Sequence, residues 1–306
     1  MICLEATKCI RASLFRLTIR KKTELRVVFA TWQRMIAEKS TYQQLRARFP
    51  DVCALYARNA GFRERSTCEP VYLEAQDFRL IDTGNKLARW FVRIPIRKGV
   101  AVFAPLRMRK SDEAELSNLK IHDSKLVRHG DRFELHLSVS REARPIDTHS
   151  VLSVDLGERF LATTVLLAPN HEASPRFMGR KVRGVRRHYA WLRKRLGERK
   201  KLKKVREIKD REHRIIQWHL HNISRRIVDE AKLNNAAIVL GDLKGIRRKT
   251  RGKRLNRIVA NMPYDALSRM IEYKASWEGI PVISMSEAYS SRTCHFCNSD
   301  GKRVSQ

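Results

Sequence analysis

An aspartate that ends a run of apolar residues is the first group in this sequence with an evident capacity for chemistry. Asp155 follows the run Val151-Leu152-Ser153-Val154, and Gly157 comes two residues later, where the chain can turn. The run is typical of a buried strand, and a carboxylate there is costly unless a cation compensates it. Divalent metal ions are usual partners of such carboxylates, so we expect Asp155 to bind Mg²⁺ or Mn²⁺. A carboxylate that only caps the turn is the alternative.

The elements around Asp155 predict the sheet of a metal-dependent nuclease. They are a strand over 161–166, a helical stretch over about 180–233, a strand over 236–240, a helix over 264–278 and a strand over 280–285. An RNase H-like (RuvC-like) α/β domain has this order, and its carboxylates hold two metal ions about 3.5–4 Å apart at a scissile phosphate. The second half of the chain is therefore predicted to be such a domain.

The first half of the sequence predicts a small, largely antiparallel β domain with a helical insertion. Apolar residues between 23 and about 60 recur at three- and four-residue steps, which is typical of amphipathic helices. Between about 70 and 140 the period changes to two. The segments Asp82-Thr83-Gly84-Asn85 and His129-Gly130-Asp131 then provide the turns of two β-hairpins.

The charge of the chain narrows the class of partner. There are 64 Lys and Arg against 32 Asp and Glu, a formal net charge of +32. A polyanion relieves self-repulsion of this size, and nucleic acid does so through phosphate contacts and counterion release. A membrane surface is the alternative anionic partner. Because no apolar run of about 18 residues occurs, no spanning helix is expected.

The compartment and the remaining partners follow from the same composition. The six cysteines are scattered apart from one pair near the end, which suits a reducing cytoplasm rather than a disulfide framework. We expect a cytoplasmic, nucleoid-associated protein with no membrane partner and no small-molecule substrate.

Two stretches concentrate the positive charge. Residues 180–214 contain 17 Lys or Arg and 4 Asp or Glu, and residues 247–257 contain seven Lys or Arg and no acid. Solvated helices normally alternate charge, so this bias predicts a nucleic-acid channel. The candidate binding residues are Arg180, Arg183, Arg186, Arg187, Arg193, Lys194, Lys200, Lys201, Arg247, Arg248, Lys249, Arg251, Lys253, Arg254 and Arg257. Nearby aromatic residues are interpreted as core or seam rather than as stacking platforms: Phe177, Tyr189, Trp191 and Trp218.

Five blocks of the sequence resemble, in order, those of the TnpB (OrfB) family. The blocks lie at 153–157, 221–231, 238–246, 272–275 and 289–297. Proteins of that family are transposon-encoded, RNA-guided DNA nucleases, similar to the smallest type V CRISPR effectors. The resemblance is strong over about 150–306 and weaker over 1–150. It implies that DNA and a guide RNA are the partners and that phosphodiester hydrolysis is the reaction.

The resemblance also implies a fold class and a division into domains. The class is α+β multidomain, with an N-terminal β wedge or barrel that carries a helical insertion, a C-terminal RNase H-like (RuvC-like) α/β domain and a partial zinc ribbon. The expected domains are the start of the β wedge (1–22), a helical recognition insertion (23–65), the β wedge (66–147), the RuvC-like nuclease domain (148–289) and a truncated zinc-ribbon segment (290–306).

One departure from the family concerns the second acid. The chain has Gly241-Asp242-Leu243 where the family usually has Glu-Asp-Leu. Asp242 is a poor replacement, because neighbouring strand residues face opposite sides of a sheet. The resemblance makes Glu272 the candidate for a relocated carboxylate, so Asp155 and Glu272 are the predicted catalytic and Mg²⁺-binding residues. A solvated helix glutamate is the alternative for Glu272, and Glu287 is a weaker candidate.

The second departure concerns zinc. Cys294 and Cys297 form one Cys-x-x-Cys pair, whereas a closed structural zinc site needs four ligands. The family's second pair and its third carboxylate would follow Gln306, so the sequence predicts a truncated copy with an incomplete Zn²⁺ site and impaired cleavage. Zn²⁺ is expected only if the ribbon is completed elsewhere. A catalytically inactive nucleic-acid binder is the alternative function, and a general basic scaffold is a third.

Overall fold

The computed structural model describes residues 4–61, 70–169, 172–242 and 262–286. The chain divides into two compact units. The first spans Glu5–Glu142, and the second combines Met1–Leu4 with Ala143–Gln306. The finer division into five domains with boundaries near 22, 65, 147 and 289 stays a prediction.

The first unit contains an eight-stranded sheet. Its strands are β1 (Leu4–Leu14), β2 (Val71–Leu73), β3 (Arg79–Asp82), β4 (Trp90–Arg97), β5 (Val100–Arg107), β6 (Lys120–Ile121), β7 (Ser124–His129) and β8 (Arg132–Ala143). They are ordered β2-β7-β8-β1-β5-β4-β3, and β6 pairs with β8. Both predicted hairpins are confirmed, because β3 pairs antiparallel with β4 and β7 pairs antiparallel with β8. Burial alternates along β4, as expected of a strand with one face on a core.

The helices of the first unit are α1 (Ile19–Glu38), α2 (Tyr42–Arg48), α3 (Ala54–Gly61) and the short α4 (Lys110–Glu115). The predicted apolar stripe of α1 is buried: Leu25, Val28, Phe29, Trp32, Met35 and Ile36. The helix begins at Ile19 rather than at the predicted residue 23. The physical reason is an N-cap: the hydroxyl of Thr18 accepts a hydrogen bond from the amide of Lys21 at 3.3 Å.

The second unit contains a five-stranded mixed sheet. Its strands are β9 (Ser150–Asp155), β10 (Ala162–Leu167), β11 (Pro175–Met178), β12 (Ala236–Asp242) and β13 (Val282–Ser286), in the order β11-β10-β9-β12-β13. The first three strands pair antiparallel, and β12 runs parallel to both β9 and β13. Four of the five strands match predicted strands. The edge strand β11 was missed, since it has four residues and starts with a proline.

Three helices of the second unit pack on one face of this sheet. They are α5 (Arg180–Glu198), α6 (Leu202–Leu233) and α7 (Tyr264–Trp277). The core between sheet and helices contains alternate strand residues, such as Leu152, Val154 and Leu240, together with Ile227 of α6 and Ile271 of α7. Within the ranges described above, none of the helices has the length and apolar character needed to cross a membrane.

The helical stretch predicted over 180–233 is two helices rather than one. The helix is interrupted at Arg199–Lys201, where Lys200 has a left-handed φ of 54°. The turn residues Arg199, Lys200 and Lys201 are themselves neither glycine nor proline, although Gly197 lies just before them, and the left-handed region is uncommon for lysine. The break lets α5 fold back along α6, so the basic stretch becomes a helical hairpin.

Gly179 and Gly184 provide a matched test of the local backbone. Gly179 precedes α5 with φ +80°, and a Cβ there would lie 2.6 Å from the Cβ of Leu161. Gly184 lies within α5 with nothing inside 4 Å of its added Cβ. We expect Gly179→Ala to lower the free energy of unfolding by about 2 kcal/mol or more, through backbone strain and overpacking. Gly184→Ala should raise it by about 1 kcal/mol.

Urea denaturation of the full chain, followed by circular dichroism, measures both changes. Equal shifts in the same direction would contradict the assignment of Gly179 to a crowded left-handed position.

Candidate functional site

Asp155 lies at the carboxyl end of the central strand β9. In the antiparallel register Asp155 pairs with Thr163 of β10, and Thr163 pairs with Phe177 of β11. Directly opposed residues of an antiparallel sheet place their side chains on the same face. Asp155, Thr163 and Phe177 therefore form one row on one face, and Val154 beside Asp155 points to the opposite, helix-covered face.

Gly241 continues this row on the other side of Asp155. On the parallel neighbour β12, Leu240 pairs with Val154, so the next residue along each strand, Gly241 and Asp155, follow in register. Gly241 in turn pairs with Met285 of β13. A carboxylate at position 241 would thus lie next to Asp155 on the same face. Asp242 belongs to the other face, as expected from strand alternation.

The burial argument made for Asp155 from sequence is wrong. The side chain is exposed, although Leu152 and Val154 are 0% and 2% exposed. The apolar run reflects only one face of the strand, and Asp155 lies on the other. Its charge therefore needs no compensating cation for folding. A metal ion at Asp155 must be argued from the position of the residue in the sheet.

Glu272 lies on α7 and is not part of the row of strand residues that contains Asp155. It is exposed on α7, five residues before that helix ends at Trp277. The end of α7 adjoins the segment that enters β9, because the amide of Ile146 donates to the carbonyl of Gly279 at 2.9 Å. Measured along the helix axis, Glu272 lies about 8 Å from the end of α7 at Trp277. Measured along the strand, Asp155 lies about 16 Å from the start of β9 at Ser150. This topology argues against one ion shared by both residues, and Glu272 as a ligand stays a prediction.

The other acid near Asp155 in sequence is already paired. Glu158 forms an ion pair with the guanidinium of Arg183 on α5, with Nε and Oε1 2.8 Å apart. Among the residues that the structure describes, no three His, Cys, Asp or Glu side chains are grouped so that they could hold a metal ion. A single carboxylate still fits one Mg²⁺, because Mg²⁺ keeps several waters and commonly takes one or two carboxylates together with substrate phosphates.

Several predicted residues lie outside the described residues. They are Glu287, the cysteines Cys294 and Cys297, and the basic residues Arg247, Arg248, Lys249, Arg251, Lys253, Arg254 and Arg257. Their roles stay predictions.

A buried glutamate joins the two basic helices, and sequence reasoning missed it. Glu212 of α6 has a side chain that is only 7% exposed. It forms ion pairs with Arg186 and Arg193, which lie seven residues apart on one side of α5. Burial lowers the pKa of the Arg186 guanidinium, and the charge of Glu212 acts in the opposite direction. The signal available in the sequence was the scarcity of acids in residues 180–214.

The predicted binding residues of α5 therefore divide into two sets. Arg183, Arg186 and Arg193 are partly buried and paired with Glu158 or Glu212. Arg180, Arg187 and Lys194 are exposed and recur every seven residues, which places them in one stripe along the helix. Lys200 and Lys201 are exposed in the turn that follows. The exposed set is the part of the helix that can reach phosphates.

Three of the four aromatic residues assigned to core or seam are exposed, so that prediction is wrong for them. Phe177, Trp191 and Trp218 are 56%, 52% and 64% exposed, and only Tyr189 is buried. The guanidinium of Arg195 lies 5.1 Å from the ring centroid of Trp191. Helical spacing could not separate these rings from core residues, because exposure depends on where the neighbouring helix crosses.

Parts of this sequence match known proteins. A family model described as "Cas12f1-like, TNB domain" matches residues 264–306. A TnpB-like protein of Methanocaldococcus jannaschii is 33% identical over 89 residues, which are 28% of this chain and 32% of that protein. The CRISPR-associated endodeoxyribonuclease Cas12f1 of Sulfoacidibacillus thermotolerans is 25% identical over 209 residues, which are 61% of this chain and 48% of that protein. The chain thus matches less than half the length of either relative.

The fold is similar to that of a solved effector. The cryo-EM structure of a Cas12f1–sgRNA–target DNA complex gives a TM-score of 0.59 at 11% identity, over 98% of this chain and 92% of that one. Two sheets with helices in a mixed α/β arrangement are shared with that class of protein. These matches support a TnpB/Cas12f-like family for this chain, and the resemblance recognised in its sequence is confirmed.

The Glu212 cluster yields a stability prediction. Glu212→Gln should lower the free energy of unfolding by about 2–4 kcal/mol, because it leaves two guanidinium groups without their anion. Glu207→Gln, an exposed change on the same helix, should stay within about 0.5 kcal/mol. Chemical denaturation of both variants measures the difference. Similar small effects would mean that the Arg186–Glu212–Arg193 cluster does not hold α5 on α6.

The exposed stripe yields a binding prediction. The double variant Arg187→Gln with Lys194→Gln should weaken duplex DNA binding. The slope of log affinity against log salt concentration should become less negative by up to about 2, because each phosphate contact contributes about 0.9 to that slope. The matched control is Arg176→Gln with Arg225→Gln, which removes the same charge from residues paired with Glu230 and Asp229. Fluorescence anisotropy at several salt concentrations measures the slopes. Equal slopes for the two double variants would rule out the stripe as a phosphate contact.

Proposed function

We propose that this chain is an RNA-guided, DNA-binding protein whose second unit is an RNase H-like (RuvC-like) domain for metal-dependent hydrolysis of DNA phosphodiesters. The observation that carries the proposal is the position of Asp155. It ends the central strand of a β11-β10-β9-β12-β13 sheet in which three strands are antiparallel and two run parallel to β9. That order agrees with an RNase H-like sheet.

The partners are proposed from the charge and from the relatives. Arg180, Arg187 and Lys194 form an exposed basic stripe, and the whole chain carries a formal charge of +32. The solved relative with a similar fold is a complex with sgRNA and target DNA. We infer that this chain likewise takes a guide RNA and DNA, reading a heteroduplex through its backbone geometry while base pairing supplies the sequence specificity.

The chain's own contribution at Asp155 is a carboxylate oxygen at an open sheet end. When bound, Mg²⁺ or Mn²⁺ would neutralise a phosphate and lower the pKa of a coordinated water. Asp155 would orient that ion, and the basic stripe would hold the strand by its phosphates. Glu272 is proposed as a further metal ligand, although the topology given above argues against one ion shared by Glu272 and Asp155. Zn²⁺ at Cys294 and Cys297 is proposed only with further ligands.

One observation favours a second function, that of a nucleic-acid binder without cleavage. The strand position in register with Asp155 is Gly241, which offers no oxygen from a side chain. A two-metal site needs carboxylates on neighbouring strands, and position 241 is where the neighbouring one would be. In this reading the protein keeps RNA and DNA binding, and Asp155 no longer takes part in cleavage.

A restored acid at position 241 distinguishes the two functions. The purified full chain is compared with Gly241→Glu and the neutral control Gly241→Gln, each with and without Asp155→Asn. If the row of residues is a metal site, Gly241→Glu should bind Mn²⁺ at least about tenfold more tightly, because a second carboxylate worth about 1.4 kcal/mol joins Asp155. Calorimetry measures the affinity, and DNA cleavage in Mg²⁺ is measured alongside.

The results separate the proposals as follows. Cleavage by the unmodified chain that disappears with Asp155→Asn supports the nuclease. Cleavage only after Gly241→Glu supports the inactive binder with an intact site position. If Gly241→Glu and Gly241→Gln bind Mn²⁺ equally, position 241 is not beside a metal site and the nuclease proposal loses its basis.

A further inference from the structure

Two phenylalanines, of which Phe177 is exposed and Phe160 is half-buried, form an aromatic pair at the Asp155 end of the sheet. Phe160 lies in the loop between β9 and β10, and Phe177 lies on β11. Their ring centroids are 4.8 Å apart with an interplanar angle of 39°. Phe177 is 56% exposed, so the pair is not part of the hydrophobic core of the second unit.

The side chain of Arg159 lies over one ring of the pair. The guanidinium carbon of Arg159 lies 5.7 Å from the centroid of the Phe160 ring. Arg159 is itself exposed, so its charge can reach a phosphate while the rings present an aromatic surface. Gly157 lets the loop bend this closely, since a Cβ there would lie 3.0 Å from the carbonyl oxygen of Phe160.

The strand register places this pair beside Asp155. Asp155, Thr163 and Phe177 are successive members of one row on one face of the sheet. With neighbouring strands about 4.8 Å apart, Phe177 is separated from Asp155 by two strand spacings, or about 10 Å. This is comparable to the span of a nucleotide, so a phosphate at Asp155 leaves a base of the same strand within reach of Phe177.

We propose that Phe177, supported by Phe160 and Arg159, is a stacking platform for an unpaired base of the single DNA strand that passes Asp155. The inference deepens the proposed function and rests on it for the identity of the strand. Stacking needs a base that is free of its duplex partner, because a paired base has both faces covered by its neighbours. The platform therefore selects single-stranded DNA at the sheet end and reads no sequence, since every base offers an aromatic face.

An assay of binding without metal tests the platform separately from cleavage. The full chain is titrated in EDTA against a short fluorescent oligothymidylate and against the same oligonucleotide with abasic residues. Phe177→Leu, which keeps an apolar side chain but removes the ring, should weaken binding of the intact oligonucleotide by about fivefold to 150-fold. It should leave binding of the abasic oligonucleotide unchanged. The salt dependence should stay the same, because no charge is lost.

Phe103→Leu is the matched control. Phe103 is 45% exposed and has the guanidinium of Arg93 6.0 Å from its ring, but it belongs to the first unit. Phe160→Leu should reproduce the effect of Phe177→Leu in weaker form. Circular dichroism of each variant checks the fold, which the loss of the exposed Phe177 ring on the edge strand β11 should not disturb.

Four results would overturn the proposal. They are unchanged binding by Phe177→Leu, an equal loss with the abasic oligonucleotide, an equal loss in Phe103→Leu, and a loss for Phe177→Leu that appears only when oligouridylate is titrated in place of oligothymidylate in the same assay. A stacking effect in a chain that cuts no DNA would leave the platform standing and remove only the nuclease. If Phe177→Leu still cuts DNA and binds the oligonucleotide normally, the nuclease proposal stands and the stacking platform is ruled out.

Discussion

The register of the five-stranded sheet is the constraint on which the rest of the second unit depends. Because side chains alternate along a strand, a shift of one residue would move Asp155 into the core and expose Val154. The core fixes the register: Leu152 and Val154 of β9 and Leu240 of β12 are all nearly fully buried under α6 and α7. Hydrophobic packing on one face thus determines which side chains meet on the other, where the chemistry is proposed.

The scarce acids of the chain are used to hold its basic helices in place. Glu212 fastens α5 to α6 through two arginines, Glu230 pairs with Arg176 of β11, and Glu278 pairs with Lys232 of α6. Each acid offsets the charge of a cation and so reduces repulsion inside the unit. Within the described hairpin formed by α5 and α6, most of the other cations, such as Arg180, Arg187 and Lys194, face solvent. The same sequence bias therefore supplies both the cations that pack against acids and the exposed cations that are proposed to bind phosphates, and only the position of each acid separates the two.

Local patterns predicted the elements well, whereas exposure depended on contacts that no local pattern records. The stripe of α1 and the hairpin turns near Gly84 and Gly130 are encoded by residues a few positions apart. The break at Lys200 carries no turn residue, and the exposure of Trp191 follows from where α6 crosses α5. Asp155 is the clearest example. The apolar run before it correctly indicated the strand β9, but it could not indicate which face of that strand the helices cover.

Gly241 has a consequence for folding as well as for function. Two carboxylates in register on neighbouring strands repel each other, so a paired site is destabilising until a cation binds. With glycine at position 241, Asp155 has no such neighbour and, being exposed, bears little desolvation cost. The second unit can therefore fold without metal, and its sheet end stays exposed whether or not an ion is present. Glycine at position 241 thus separates folding from metal binding, which is the physical condition that the proposed binding function without cleavage requires.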